Sequence, residues 1–220
     1  MRLIVALLLG IVLPVNAMEV RILPEDESAR DLELQAFEKQ LEIAVDQRNA
    51  DQLLSLVSND ISVSAKRVGG LNAFKKAWHP ESRDSEIWST MRQILKLGGG
   101  FLRSESGVKY CAPYTFVNFP SNLDIYGHVI VVRDNVPLKA LPSLKSATIK
   151  NLSYYVLRVQ DWRSVADQNN DAVRWLKVKT LGGDEGYVEK DAVRSPTDYS
   201  ACFLHQETTG WKMVSLISSE

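Results

Sequence analysis

The hydrophobic period of the chain changes once, at the glycine run "GGG" (98–100), and this change limits the possible folds. Before the run, apolar residues recur with helical spacing. Leu34, Phe37, Leu41, Ala44 and Val45 fall on one face and predict a helix over about 31–48. Asn49 predicts the cap of a second, shorter helix, with Gln52 at the capping-box position and Leu53, Leu54 and Val57 as its apolar side. "ISVS" (61–64) reads as a short strand and "RVGG" (67–70) as a turn. A third helix carries Phe74, Ala77 and Trp78 and ends at Pro80. A fourth starts near Asp84 or Ser85 with Trp88, Met91 and Leu95 on one stripe. The glycines stop it, since glycine takes the left-handed conformation without a Cβ penalty.

After residue 100 the period becomes two. "FLRSESGVKYCAPYTFVNF" predicts a hairpin and a continuing strand. Short β segments follow: "HVIVV", "VPLKA", "IKNL", "YYVLRV", "WLKVK" and "GYV". "DQNND" (167–171) is read as an exposed loop, and residues 18–30 as a charged, irregular leader. The tail predicts a last hairpin, "YSACFLHQ" and "WKMVSLIS" around "ETTG". Helices followed by antiparallel strands place the chain in the α+β class.

"MRLIVALLLGIVLPVNA" (1–17) has one basic residue, an apolar run, a proline, and small residues Val15 and Ala17 before a cut. This is the pattern of a cleavable secretory signal. The run is too short for a hydrocarbon core of ~30 Å, which needs about 20 residues. The expectation is therefore an exported protein, periplasmic or secreted, with no membrane insertion after cleavage. Net charge is −1, which gives no electrostatic case for nucleic acid.

An oxidising compartment permits disulfides. The chain has two cysteines, Cys111 and Cys202, so one pairing is available. The competing reading is a nucleophilic cysteine with His128 or His205 as base. Neither cysteine opens a predicted helix, where a thiolate would be stabilised.

The ordered segments "VPLKALPSLKSATIKNLSYYVLRV" and "WLKVKTLGGDEGYVEKDAV" resemble the bacterial Src-homology-3 (SH3-like) domain. Val136, Leu138 and Pro142 match its opening, and Ile149 and Leu152 its middle. Trp175, Val178, Gly186, Tyr187, Val188 and Val193 match its close. Two features depart from the family: "KALP" stands for the usual Arg–Ser–Gly–Pro, and the loop carrying Trp162 is longer. The resemblance implies a small β-barrel over 125–196 that recognises a peptide, a peptidoglycan fragment or a partner protein. Tyr154, Tyr155, Trp162, Trp175 and Tyr187 are its candidate ligand-binding aromatics. Packing is the competing role, favoured for Trp175 and Tyr187, with Trp162 the best candidate for exposure. The flanking part is more weakly similar to the nuclear-transport-factor-2-like cone. The whole layout, with "CAPY" before the barrel and "DYSACF" after it, resembles an uncharacterised family of exported SH3 domain-containing proteins. A Cys111–Cys202 bridge would make residues 18–120 and 198–220 one discontinuous α+β domain with the barrel inserted.

No catalytic signature stands out. His79, His128 and His205 have no metal-ligand spacing. "GGG" ends a helix and lacks the lysine of a phosphate loop. Asp184 and Glu185 are adjacent in a turn, so their side chains diverge and suit solvation better than acid–base work. No cofactor, metal or catalytic residue is assigned. The expected function is a non-enzymatic binding or scaffold protein of the cell envelope. The alternative is an enzyme or small-ligand carrier with a pocket in the α+β part, lined by Trp78, Trp88 and Phe101.

Overall fold

The computed structural model describes residues 18–64, 67–104, 107–167 and 170–218; the expected signal at 1–17 lies outside them. The chain is α+β, with two sheets that are antiparallel apart from one pair of strands.

The helical half forms where caps and apolar stripes coincide. Helix α1 (Leu32–Asp46) starts at Asp31, whose carboxylate accepts from the backbone N–H groups of Glu33 and Leu34, both at 2.9 Å. Its five periodic residues, Leu34 to Val45, are buried. Asn49 caps α2 (Ala50–Ser55) by accepting from Gln52 N at 3.1 Å. The Gln52 amide reaches Gln40 O instead of closing a capping box. Val57 does not extend α2; it begins strand β1 (Val57–Ser64). Arg67–Val68, expected as a turn, form strand β2 against β1. Helix α3 (Gly70–Trp78) ends at His79, which takes a left-handed φ of 43°. Ser85 caps α4 (Glu86–Leu95), and its hydroxyl also donates to Trp78 O, joining the two helices.

Beyond α4, Gly98 turns with φ 63°. Gly99 then passes so close to β4 that a Cβ would stand 2.1 Å from Cys111 O. Strands β3 (Gly100–Ser104) and β4 (Gly107–Ala112) form the predicted hairpin. The expected continuation of the second strand is a short helix, α5 (Tyr114–Val117). Pro113, which has no N–H to give a ladder, ends the strand.

The second sheet holds β5 (His128–Val131), β6 (Val136–Lys139), β7 (Thr148–Leu152), β8 (Val156–Asp167), β9 (Asn170–Thr180), β10 (Glu185–Glu189) and β11 (Val193–Arg194). Its order is β11-β5-β8-β9-β10-β6-β7. It curls around Val129, Val131, Val136, Leu138, Leu152, Leu157, Leu176, Val178 and Val188. The tail returns as β12 (Ser200–Gln206) and β13 (Gly210–Ile217), completing a first sheet of order β2-β1-β13-β12-β4-β3. Only β1 and β13 run parallel in it. Cys111 and Cys202 face each other across β4 and β12 and are disulfide-bonded. Both sulfurs are used, which removes the nucleophilic reading.

Residues 18–30, expected as an irregular leader, are an ordered strap between the sheets. Val20 O accepts from Val156 N, and Ile22 N donates to Tyr154 O, both at 2.9 Å. Glu27 N then donates to Gly99 O at 2.9 Å, and the Glu27 carboxylate accepts from Phe101 N at 2.8 Å. Ile22 packs with Tyr114, Ile130 and Val156 in a third apolar cluster.

Candidate functional site

The "WLKVKTLGGDEGYV" segment (175–188) is two paired strands around a turn. It supplies the second half of β9, the turn and most of β10. Gly183 takes φ 109° and donates to Thr180 O at 3.0 Å. Asp184 and Glu185 diverge onto different lysines, Lys150 at 3.2 Å and Lys179 at 2.9 Å.

The five candidate aromatics do not converge. Trp175 is fully buried, and its indole N–H donates to Asp167 Oδ2 at 3.2 Å. Tyr155 is buried under the strap, where the Arg21 guanidinium lies 4.4 Å over its ring and donates to its hydroxyl at 2.6 Å. Tyr154 sits at the β7–β8 turn with φ 62° and is half-buried. Tyr187 is half-buried on β10, between Lys139 and Lys177 in register. Trp162 is exposed (51%). The loop expected to carry it is instead the outer part of the long β8–β9 hairpin. Asp167, expected in an exposed loop, is 1% exposed and also accepts from Leu144 N at 2.7 Å.

Trp162 is one wall of a groove of about 390 Å³ beside β5 and β9. Tyr126, exposed at 61%, Lys190, Thr197 and Asp198 also line it. Val129, Leu176 and Val193 give it an apolar floor. The turn after β11 shapes one rim: Ser195 N donates to Asp198 Oδ2 at 3.1 Å, and Thr197 N donates to Ser195 Oγ at 3.2 Å. Sequence reasoning missed Tyr126, Lys190 and this rim. The signal available was "SPTD" (195–198), a turn of side-chain acceptors at the junction of the two sheets.

The helical half is filled. Phe37, Leu41, Trp88, Met91, Tyr110, Phe203 and Met213 belong to one buried cluster between helices and sheet. An open cleft of about 620 Å³ lies at its edge, lined by Trp78, His79, Asp84, Glu86 and Tyr199. Trp88 does not line it; its indole N–H donates to Ser82 O at 2.9 Å. Phe101 lies elsewhere, edge-on to Tyr110.

Two carboxyl groups near Tyr110 are perturbed in opposite directions. Tyr110 donates to Asp26 Oδ1 at 2.7 Å, and Ser28 N donates to the same oxygen at 2.9 Å. Burial raises the Asp26 carboxyl, but these hydrogen bonds outweigh it and hold it below its usual value. Glu38 is pushed up to about 7, chiefly by burial and also by repulsion from Asp26 and Glu42. Asp26 belongs to the strap, and Glu38 of α1 lies close to it. Among the described residues, no group of three or more His, Cys, Asp or Glu side chains could hold a metal. His79 is an exposed cap, His128 Nδ1 lies 2.7 Å from Asp124 O, and His205 Nε2 lies 3.0 Å from Glu33. No helix of the described residues is long and apolar enough to cross a membrane.

No protein-family model, curated protein or solved structure matches the chain.

Proposed function

We propose that this is an exported binding or scaffold protein of the cell envelope, whose curled second sheet acts as a bacterial SH3-like module. In this reading the module recognises a peptide, a peptidoglycan fragment or a partner protein through the Trp162–Tyr126 groove. The observation that carries the reading is this groove: two exposed aromatics over an apolar floor, with one cation and one anion at the rim. Aromatic walls with a few placed polar groups suit a ligand that is part apolar and part zwitterionic. A disulfide between neighbouring strands is compatible with an oxidising compartment.

The alternative, an enzyme or carrier using the α+β half, has less support. The cleft at Trp78 is open, and Ser85 is already committed to capping α4 and to Trp78 O. Retention of the purified protein on isolated peptidoglycan, with Trp162→Ala beside it, tests the cell-wall form of the proposal. Failure of the wild type to be retained would remove it.

A further inference from the structure

Arg194 occupies an unusual position for an arginine. It lies on β11 next to Val193, and successive strand residues face opposite sides. Val193 lines the Trp162 groove, whereas Arg194 lines a separate cleft of about 230 Å³ between the second sheet and α4. Arg194 is only 9% exposed. Its guanidinium makes one hydrogen bond, from Nη2 to Tyr199 O at 2.5 Å, and its buried Nε has no partner. Among the described residues no carboxylate pairs with it within 4.0 Å. Asp198 is the nearby anion, and its Oδ2 already accepts from Ser195 N. Burial lowers the pKa of the guanidinium, partly offset by Asp198. A buried cation short of both charge and acceptors is costly unless something supplies them.

Besides Asp198 and Tyr199, the lining offers three neutral polar side chains. Thr90 and Gln93 come from α4, and Ser218 follows β13. We propose that this cleft is a carboxylate-binding site, with Arg194 as the anchor and Thr90, Gln93 and Ser218 as neutral hydrogen-bond partners. A guanidinium presents planar paired donors that match a carboxylate. A monoanion suits the site better than a phosphate dianion, because Asp198 already offsets part of the single positive charge. The anchor Arg194 lies on the other face of β11 from Val193, although Asp198 borders both clefts, and the proposal does not rest on the function proposed for the Trp162 groove.

The test is an amide-shift titration of the isotope-labelled full exported chain with acetate, N-acetylalanine, N-acetylalanine amide and inorganic phosphate. The two carboxylates should shift Thr90, Gln93 and Tyr199 saturably, and the amide should not. Arg194→Met should weaken binding at least about tenfold, the loss of one charge-assisted bond. If that variant fails to fold, Thr90→Glu, which brings a carboxylate to the cleft from α4, should abolish binding. Equal affinity for acetate and N-acetylalanine would point to a free small acid as the source. Tighter binding of N-acetylalanine would point to a peptide terminus; either upholds the site. The proposal is overturned if the amide binds as well as the acid, if phosphate binds more tightly than both carboxylates, or if neither substitution alters binding.

Discussion

Replacing both Cys111 and Cys202 by alanine should remove a large share of the stability. The bond joins positions 91 residues apart in sequence. In the unfolded chain it forbids all conformations in which those positions separate, which is worth about 4–5 kcal/mol for a loop of this length. In the folded chain the two residues are already opposite each other on β4 and β12, so removing the bond changes little there. The loss should therefore act through the unfolded state. For a chain of this size it corresponds to a fall in Tm of roughly 10–15 °C. Urea unfolding of the wild type, oxidised and reduced, and of the double variant measures it. The reduced wild type and the variant should agree, and their m-values should exceed that of the oxidised protein, because the freed chain exposes more surface. A loss below about 1 kcal/mol, with unchanged m, would exclude an effect through the unfolded chain. It would mean that β4 and β12 stay associated after unfolding.

Substitutions at two further positions probe polar groups that are buried or partly buried. Glu38 has a folded-state pKa raised from 4.5 to about 7, chiefly by burial, so folding takes up a proton between those values. Stability from this group is present in full below pH 4.5 and is lost as pH rises through 7. The ceiling is about 3 kcal/mol, and partial exposure reduces it to about 1–2 kcal/mol. Glu38→Gln, fixed neutral, should stabilise the protein by that amount at pH 8 and leave it unchanged at pH 4; a constant difference across pH would contradict this. Asp167→Ala leaves the Trp175 indole N–H and the Leu144 N–H without this acceptor and should cost about 2–4 kcal/mol. Asp167→Asn keeps an acceptor oxygen and should cost less in the same urea melts; equal losses would rule out the hydrogen-bond explanation.

The helical half was legible because the stripe from Leu34 to Val45 is unbroken, and because Asn49 and the start near Ser85 stand just before apolar stripes. The α+β class followed from the change of period at 98–100, and the disulfide from there being two cysteines. The β8–β9 hairpin was hidden for a physical reason. Beyond the curled part, Gln160, Trp162, Arg163 and Val165 are all exposed, so the usual buried-and-exposed alternation disappears. The strap was hidden because its role depends on backbone hydrogen bonds to Tyr154, Val156 and Gly99, which composition does not report. The aromatic candidates failed to converge because strand register decides which face a side chain takes, and one step reverses it. Trp175 is therefore interior, while Tyr126, in a turn outside the strands, stands in the groove. Arg194 gave no signal, since the cleft it lines is completed by Thr90 and Gln93 of α4 and by Ser218 after β13, all distant in sequence.

The proposed function depends on the Trp162–Tyr126 groove being the binding face. The direct measurement is depletion of purified protein from solution by isolated peptidoglycan, at increasing amounts, for wild type, Trp162→Ala and Tyr126→Ala. Both aromatics are exposed, so the variants should fold with unchanged Tm. The wild type should be depleted saturably, and each variant at least about tenfold more weakly, the loss of a central aromatic contact. Wild-type depletion that neither substitution reduces would contradict it and move the site elsewhere on the molecule.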